Sequence, residues 1–115
     1  MELFERIRER DGSVPPVIDS RDVLTDPRGQ LQALCDALEL PFRDSMLSWP
    51  AGPRETDGVW AHHWCGEVRQ TTGFRPYREK PICLTPELEP LLELCTPYYE
   101  RLYRQRLVTC NMKPN

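Results

Sequence analysis

The sequence predicts a mainly α chain with one short strand, forming the C-terminal part of a larger α/β architecture. Three observations lead there. Apolar residues recur at helical spacing behind two proline-led starts, Asp26-Pro27 and Thr85-Pro86. Val17-Ile18, a β-branched pair, follows Pro15-Pro16 without alternation, the pattern of a short strand buried on both faces in a parallel sheet. No obvious second strand follows it, and a lone strand cannot satisfy its own hydrogen-bonding groups.

Each element has a local cause. Glu2 to Arg10 reads as a short helix with Leu3, Phe4 and Ile7 on one face, and Asp11-Gly12-Ser13 stops it. Val14 to Asp19 is extended, because two prolines forbid a helix. Asp26 is a good N-cap and Pro27 sits at N1, where its missing N–H costs nothing. Leu31, Leu34, Cys35 and Leu38 complete the stripe of that helix, and Pro41 ends it. Phe42 to Ser48 is expected to hold one more turn, with Met46 and Leu47 inward. Trp49 to Gly58 is a loop. Val59 to Thr71 is expected to be helical, carrying Trp60, His63, Trp64, Glu67 and Val68 along one side. Gly73 to Pro81 is irregular. Thr85 caps and Pro86 starts a long helix with the stripe Leu88, Leu91, Leu92, Cys95, Tyr98, Tyr99, Leu102, Tyr103 and Leu107, kinked at Pro97. Residues 109–115 form a polar tail.

The 115 residues make one domain at most, expected here to be incomplete, over 1–115. Twelve prolines keep the elements short. A net charge of −3 and a pI near 5.4 argue against nucleic-acid binding through a basic field. No apolar run is long enough to span a bilayer, and the charged first dozen residues lack the apolar core of a secretory signal. Five cysteines at wide spacings, with no CxxC, read as reduced thiols in a cytoplasmic compartment.

Two stretches together carry a family resemblance. The first is Val17-Ile18-Asp19-Ser20-Arg21-Asp22-Val23-Leu24-Thr25-Asp26-Pro27, running into Leu31-Gln32-Ala33-Leu34-Cys35-Asp36-Ala37-Leu38-Glu39-Leu40-Pro41-Phe42. The second is Gly58-Val59-Trp60-Ala61-His62-His63-Trp64. In this order they resemble the C-terminal half of sulfotransferases: a short parallel strand, an Asp-Pro-capped helix, then a late Gly-x-Trp-x-x-His-aromatic motif. The resemblance implies a three-layer P-loop-type α/β fold. It also implies 3′-phosphoadenosine 5′-phosphosulfate as sulfonyl donor, to a hydroxyl or amine acceptor. Carried onto this chain, the residues that would border the nucleotide are Arg54, Gly58, Trp60 and His63. No catalytic residue is assigned. The family's phosphate loop, its Arg and Ser for the 3′-phosphate and its usual base have no counterpart here. Ser20 stands where many members have a stacking tyrosine, Arg21 stands where an acid is usual, and Arg54 is one position out of register.

Each candidate has a plainer alternative. Arg54 reads equally as a solvated loop arginine, Trp60 and Trp64 as core packing, and His63 as a structural histidine. His62, His63 and Cys65 lack metal spacing, so no metal is expected. Cys35 and Cys95 read as core residues, Asp22 as a local cap, and the tyrosine stripe as a face packed on a sheet or partner. The chain is therefore expected to be a sulfotransferase lid, inactive by itself, whose partner is an N-terminal half or a second copy. The other reading is a small non-enzymatic helical protein acting through protein–protein interaction.

Overall fold

The computed structural model describes residues 1–109, and α-helix dominates their regular structure. Helix α1 (Glu2–Asp11) has Glu2 and Glu5 in its first turn and Arg8 and Arg10 in its last, matching the helix dipole. Gly12 ends it at φ 68°, and its N–H donates to the Arg8 carbonyl.

The next two helices share a capping residue. Asp19 opens α2 (Ser20–Thr25) by accepting from the Arg21 N–H at 2.9 Å. Asp26 closes α2 and opens α3 (Pro27–Ala37), accepting from the Gly29 N–H at 3.1 Å. The Asp26 carboxylate occupies the space that a side chain at Gly29 would fill, with its Oδ2 2.1 Å from an ideal Cβ. Glu39 ends this segment in the left-handed region at φ 56°, while the Leu40 N–H donates to the Cys35 carbonyl at 2.8 Å. That is a Schellman-type closure built without glycine.

Val17 does find a partner within the chain. It forms a parallel bridge with Arg106, and the Leu107 N–H donates to its carbonyl at 2.8 Å. The pairing is parallel, as expected, but it is a single-residue bridge and not the expected strand, with Ile18 43% exposed, and the partner segment carried no legible strand pattern. Around the bridge, Gln30 Nε2 donates to the Leu107 carbonyl at 3.1 Å and Thr109 Oγ1 to Asp26 Oδ2 at 3.1 Å. Arg106 Nε donates to Asp22 Oδ2 at 2.8 Å and lies 3.7 Å above the Tyr103 ring. Asp22 is thus an ion-pair partner of Arg106 rather than a local cap. Arg101 pairs with Glu5 of α1.

A second unit occupies residues 48–74. Ser48 and Gly73 form an antiparallel bridge, and the Trp49 N–H donates to the Thr72 carbonyl at 2.9 Å. Trp49 also donates through Nε1 to Thr71 Oγ1 and stands edge-to-face on Phe74 at 5.3 Å. Between these ends, the helix expected over Val59 to Thr71 is two single turns, α4 (Ala61–Trp64) and α5 (Gly66–Arg69). Gly66 is a poor helix former, and the β-branched, aromatic and histidine residues around it add little propensity. The turn expected in Phe42 to Ser48 is a 3₁₀ turn, Asp44–Met46.

The long helix also starts later than its caps suggest. Thr85 makes no capping bond, Pro86–Leu88 is a 3₁₀ turn, and α6 runs Glu89–Arg104. It continues through Pro97, where Thr96 Oγ1 donates to the Leu92 carbonyl at 2.7 Å.

Burial is sparse. Among the described residues only Cys35, Ala61, Asp22 and Gln30 are buried. The chain exposes 9934 Å², against about 6,500 Å² expected for a closed domain of this mass. Its radius of gyration is 17.1 Å, against about 13 Å for a chain of this length. Two expectations are corrected accordingly. Trp60 and Trp64 are not core but 63% and 82% exposed, and Cys95 is exposed; Tyr98 and Tyr99 lie on a face that is open in this chain. Cys110 to Asn115, most of the expected polar tail, lies outside the described residues.

Candidate functional site

The loop between Trp49 and Gly58 is shaped by a single carboxylate. Asp57 Oδ2 accepts from the Arg54 backbone N–H at 3.1 Å and from Arg69 Nη2 at 3.2 Å. A further bond runs from the Gly52 N–H to the Arg69 carbonyl at 2.7 Å, with Gly52 at φ 109° where a side chain would be strained. Asp57 is held below the usual carboxylate range, first by the Arg54 N–H, with Arg69 adding to the effect. The result is a small cavity of about 70 Å³, lined by Trp49, Gly52, Arg54, Asp57, Cys65 and Arg69 among others.

Two arginines line it. The Arg54 backbone is committed to Asp57, but among the described residues its guanidinium makes no ion pair. Arg69 uses Nη2 on Asp57 and leaves Nε buried with no hydrogen-bond partner. An unmet buried donor costs about 1–3 kcal/mol, so this atom favours an acceptor brought in from outside.

The structure unites some of the expected site residues and separates others. Arg54 lines the cavity; Trp60 and His63 do not. Gly58 lies under Trp60, where an added Cβ would sit 2.8 Å from the indole, so a side chain here would push the ring away. The Gly58 carbonyl accepts from the Ala61 N–H at 2.9 Å and starts α4. His63 is exposed on α4 with its ring 3.9 Å from that of His62. Asp57 and Arg69 escaped the sequence reading. The Asp57-Gly58 turn signal marked the first, three residues after Arg54. Nothing local marked Arg69, which reaches Asp57 only because the loop folds back on residues 69–73.

Among the described residues, no helix is long and apolar enough to cross a membrane, and no group of three or more metal-ligating side chains occurs. What the geometry offers is an anion-receptive arginine pair beside an exposed indole.

The loop and its cavity belong to an α-rich chain, and comparison with known proteins gives that chain a family. The model of the sulfotransferase domain matches residues 5–106, so the chain belongs to the sulfotransferase family. Among curated proteins it is similar to branched-chain-amino-acid aminotransferase-like protein 2 of Arabidopsis thaliana, 38% identical over 102 residues. That match covers 89% of this chain and 17% of the relative. Branched-chain-amino-acid aminotransferase-like protein 1 of the same plant is 43% identical over 91 residues, covering 79% of this chain and 16% of the relative. The chain thus spans about one sixth of the length of these relatives. No solved structure gives a significant match.

Proposed function

We propose that the chain is the C-terminal part of a sulfotransferase-like P-loop domain and supplies a lid over its nucleotide. The observation that carries this reading is the pair Arg54 and Arg69 lining the cavity at the Trp49–Gly58 loop; among the described residues the Arg54 guanidinium makes no ion pair and the buried Arg69 Nε has no hydrogen-bond partner. Both suit a phosphate oxygen, and the exposed Trp60 and His63 stand on the following helix. The match to the family motif at Gly58, Trp60 and His63 supports the same placement.

3′-Phosphoadenosine 5′-phosphosulfate, when bound, supplies the activated sulfonyl group that the family transfers to a hydroxyl or amine. The residues here bind and orient. Arg54 and Arg69 hold negative charge, Asp57 fixes both arginines through one oxygen, and Trp60 covers Gly58. Transfer further needs a cradle of backbone N–H groups on the phosphosulfate and a base for the acceptor. The chain holds no glycine-rich phosphate loop, so these residues alone are expected to bind without turning over. The free thiols fit a reducing, cytoplasmic setting. The word aminotransferase belongs to the relatives' names; with so small a share of them matched, no such activity is carried over.

Titration calorimetry with 3′-phosphoadenosine 5′-phosphate tests the reading. Saturable binding is expected, weakened about tenfold in Arg54→Ala, the loss of one charge-assisted hydrogen bond. Binding left unchanged in Arg54→Ala would remove Arg54 from the site. The alternative, a non-enzymatic helical interaction protein, draws on the open apolar face of α6. It predicts association with a polypeptide and no nucleotide binding.

A further inference from the structure

Residues 74–85 run on without a helix, turn or bend, so the chain is extended there, and residues 75–83 are all exposed. The stretch is held at both ends. The Ser48–Gly73 bridge and the Trp49–Phe74 contact fix its start, and the Pro86–Leu88 turn follows it. Between them the Arg21 guanidinium of α2 lies 5.1 Å from the centre of the Tyr77 ring. Among the described residues, the backbone of residues 75–84 makes no backbone–backbone hydrogen bond. Pro76 and Pro81 have no N–H to offer, but every residue between them carries a donor and an acceptor. An unpaired extended backbone of this kind is a template for another strand.

The side chains choose the occupant. Arg75, Arg78 and Lys80 make no ion pair among the described residues, and neither does the Arg21 guanidinium. Glu79 is the single acid between Gly73 and Leu84. The acids of α2 are engaged elsewhere: Asp19 accepts from Tyr99 and from the Arg21 N–H, and Asp22 accepts from Arg106. A cationic edge thus stands on a chain of net charge −3. It repels a second copy of itself, because like charges opposite one another destabilise a pair of strands. It also makes a poor interior surface for a larger domain, since an unpaired cation is costly to bury. A sulfated glycan or a nucleic acid would meet the charges and leave the backbone unpaired. An acidic peptide strand meets both. In an extended chain Arg78 and Lys80 share one face and Tyr77 and Glu79 the other. A strand that alternates acidic and apolar residues therefore sets carboxylates beside the two cations and apolar groups beside Tyr77.

We propose that residues 77–80 pair through their open backbone edge with an acidic strand of a separate polypeptide, whose carboxylates meet Arg78 and Lys80. This surface does not depend on nucleotide binding at the Arg54 loop.

Fluorescence polarisation tests it, with a labelled peptide of alternating glutamate and valine titrated with the full chain. Saturable binding is expected, with a dissociation constant below about 1 mM, and it weakens as salt rises. Amide hydrogen exchange at residues 77–80 is expected to slow when the peptide is present. Arg78→Glu combined with Lys80→Glu is expected to weaken binding at least about tenfold, the effect of reversing two exposed pairs. Both side chains are exposed and without an ion pair, so the fold is retained, which circular dichroism checks. A peptide with proline in place of each valine keeps its charge and cannot pair as a strand. It is expected to bind at least about tenfold more weakly, the loss of two net backbone hydrogen bonds. Absence of binding by the glutamate–valine peptide would overturn the proposal, as would unchanged affinity in the double variant. Equal binding by the proline peptide or by a sulfated glycan would reduce the surface to charge alone and overturn it too. Unchanged exchange at residues 77–80 would place the peptide elsewhere.

Discussion

Asp57 takes two hydrogen bonds on a single oxygen, one from the Arg54 backbone and one from the Arg69 guanidinium. Both favour its charged form, so its folded pKa lies below that of the unfolded chain. Its contribution to folding is therefore complete above the ordinary carboxylate range and is lost as pH falls through the depressed value. Acidification is expected to release the Trp49–Gly58 loop in a step followed by tryptophan fluorescence, and Asp57→Asn should lack that step. Tyr99 has the opposite sign. Its hydroxyl donates to Asp19 at 2.8 Å, and this bond, with burial and the nearby negative charge, raises its pKa. Its contact is kept at neutral pH and lost as pH climbs above the ordinary tyrosine range. A third residue-scale outcome concerns Asp22 and Arg106, whose side chains are 10% and 21% exposed at 2.8 Å. Removing the cation leaves a buried carboxylate alone. Arg106→Met is expected to destabilise by about 2–3 kcal/mol in urea unfolding, somewhat under a fully buried pair. A loss under about 0.5 kcal/mol, the scale of exposed pairs, would contradict the role given to this contact.

Among the elements, the one whose cap bond forms, α3, starts where the sequence places it, while α6 begins after a 3₁₀ turn and the stripe over Val59 to Thr71 gives only single turns. Asp26-Pro27 fixes the start of α3 because the cap needs only neighbours three residues away. Asp26 also receives Thr109, so Asp26→Ala is expected to cost about 1–2 kcal/mol, the upper range for an N-cap. Retained stability in that variant, read by thermal circular dichroism, would show that the two contacts are surplus. Val59 to Thr71 carries helical spacing without propensity or caps, and it breaks at Cys65-Gly66 into single turns. The spacing of Trp60 and Trp64 reflected surface that stays open in this chain, where the sequence reading placed core. On α6 the stripe was legible in full, while its exposure was not, since a sequence shows that a face is apolar and not what covers it.

For the molecule as a whole, stability rests on polar ties between distant segments more than on apolar burial. Residues 99–109 hold residues 5–30 through Arg101–Glu5, Tyr99–Asp19, Arg106–Asp22, Gln30–Leu107 and the Val17 bridge. Cys35 and Ala61 are the only buried apolar residues among the described residues. With so little apolar area buried, the heat-capacity change and cooperativity of unfolding are expected to be small. The chain is expected to show helical circular dichroism that melts over a broad range. A sharp, high-temperature transition of a monomer would show that the open faces contribute more than their exposure allows.

The sequence by itself determined the family, the Asp26-Pro27 helix, the parallel sense of the bridge at Val17 and the amphipathic stripe of α6. These depend on caps, propensities and periodicities that act over a few residues. Tertiary structure alone decided that Arg106 pairs with both Val17 and Asp22, that Arg69 joins Arg54 across Asp57, and that the tryptophans and the α6 stripe face outward. Each of these depends on segments distant in the chain meeting or failing to meet. Their closure carries an entropic cost that no local pattern records.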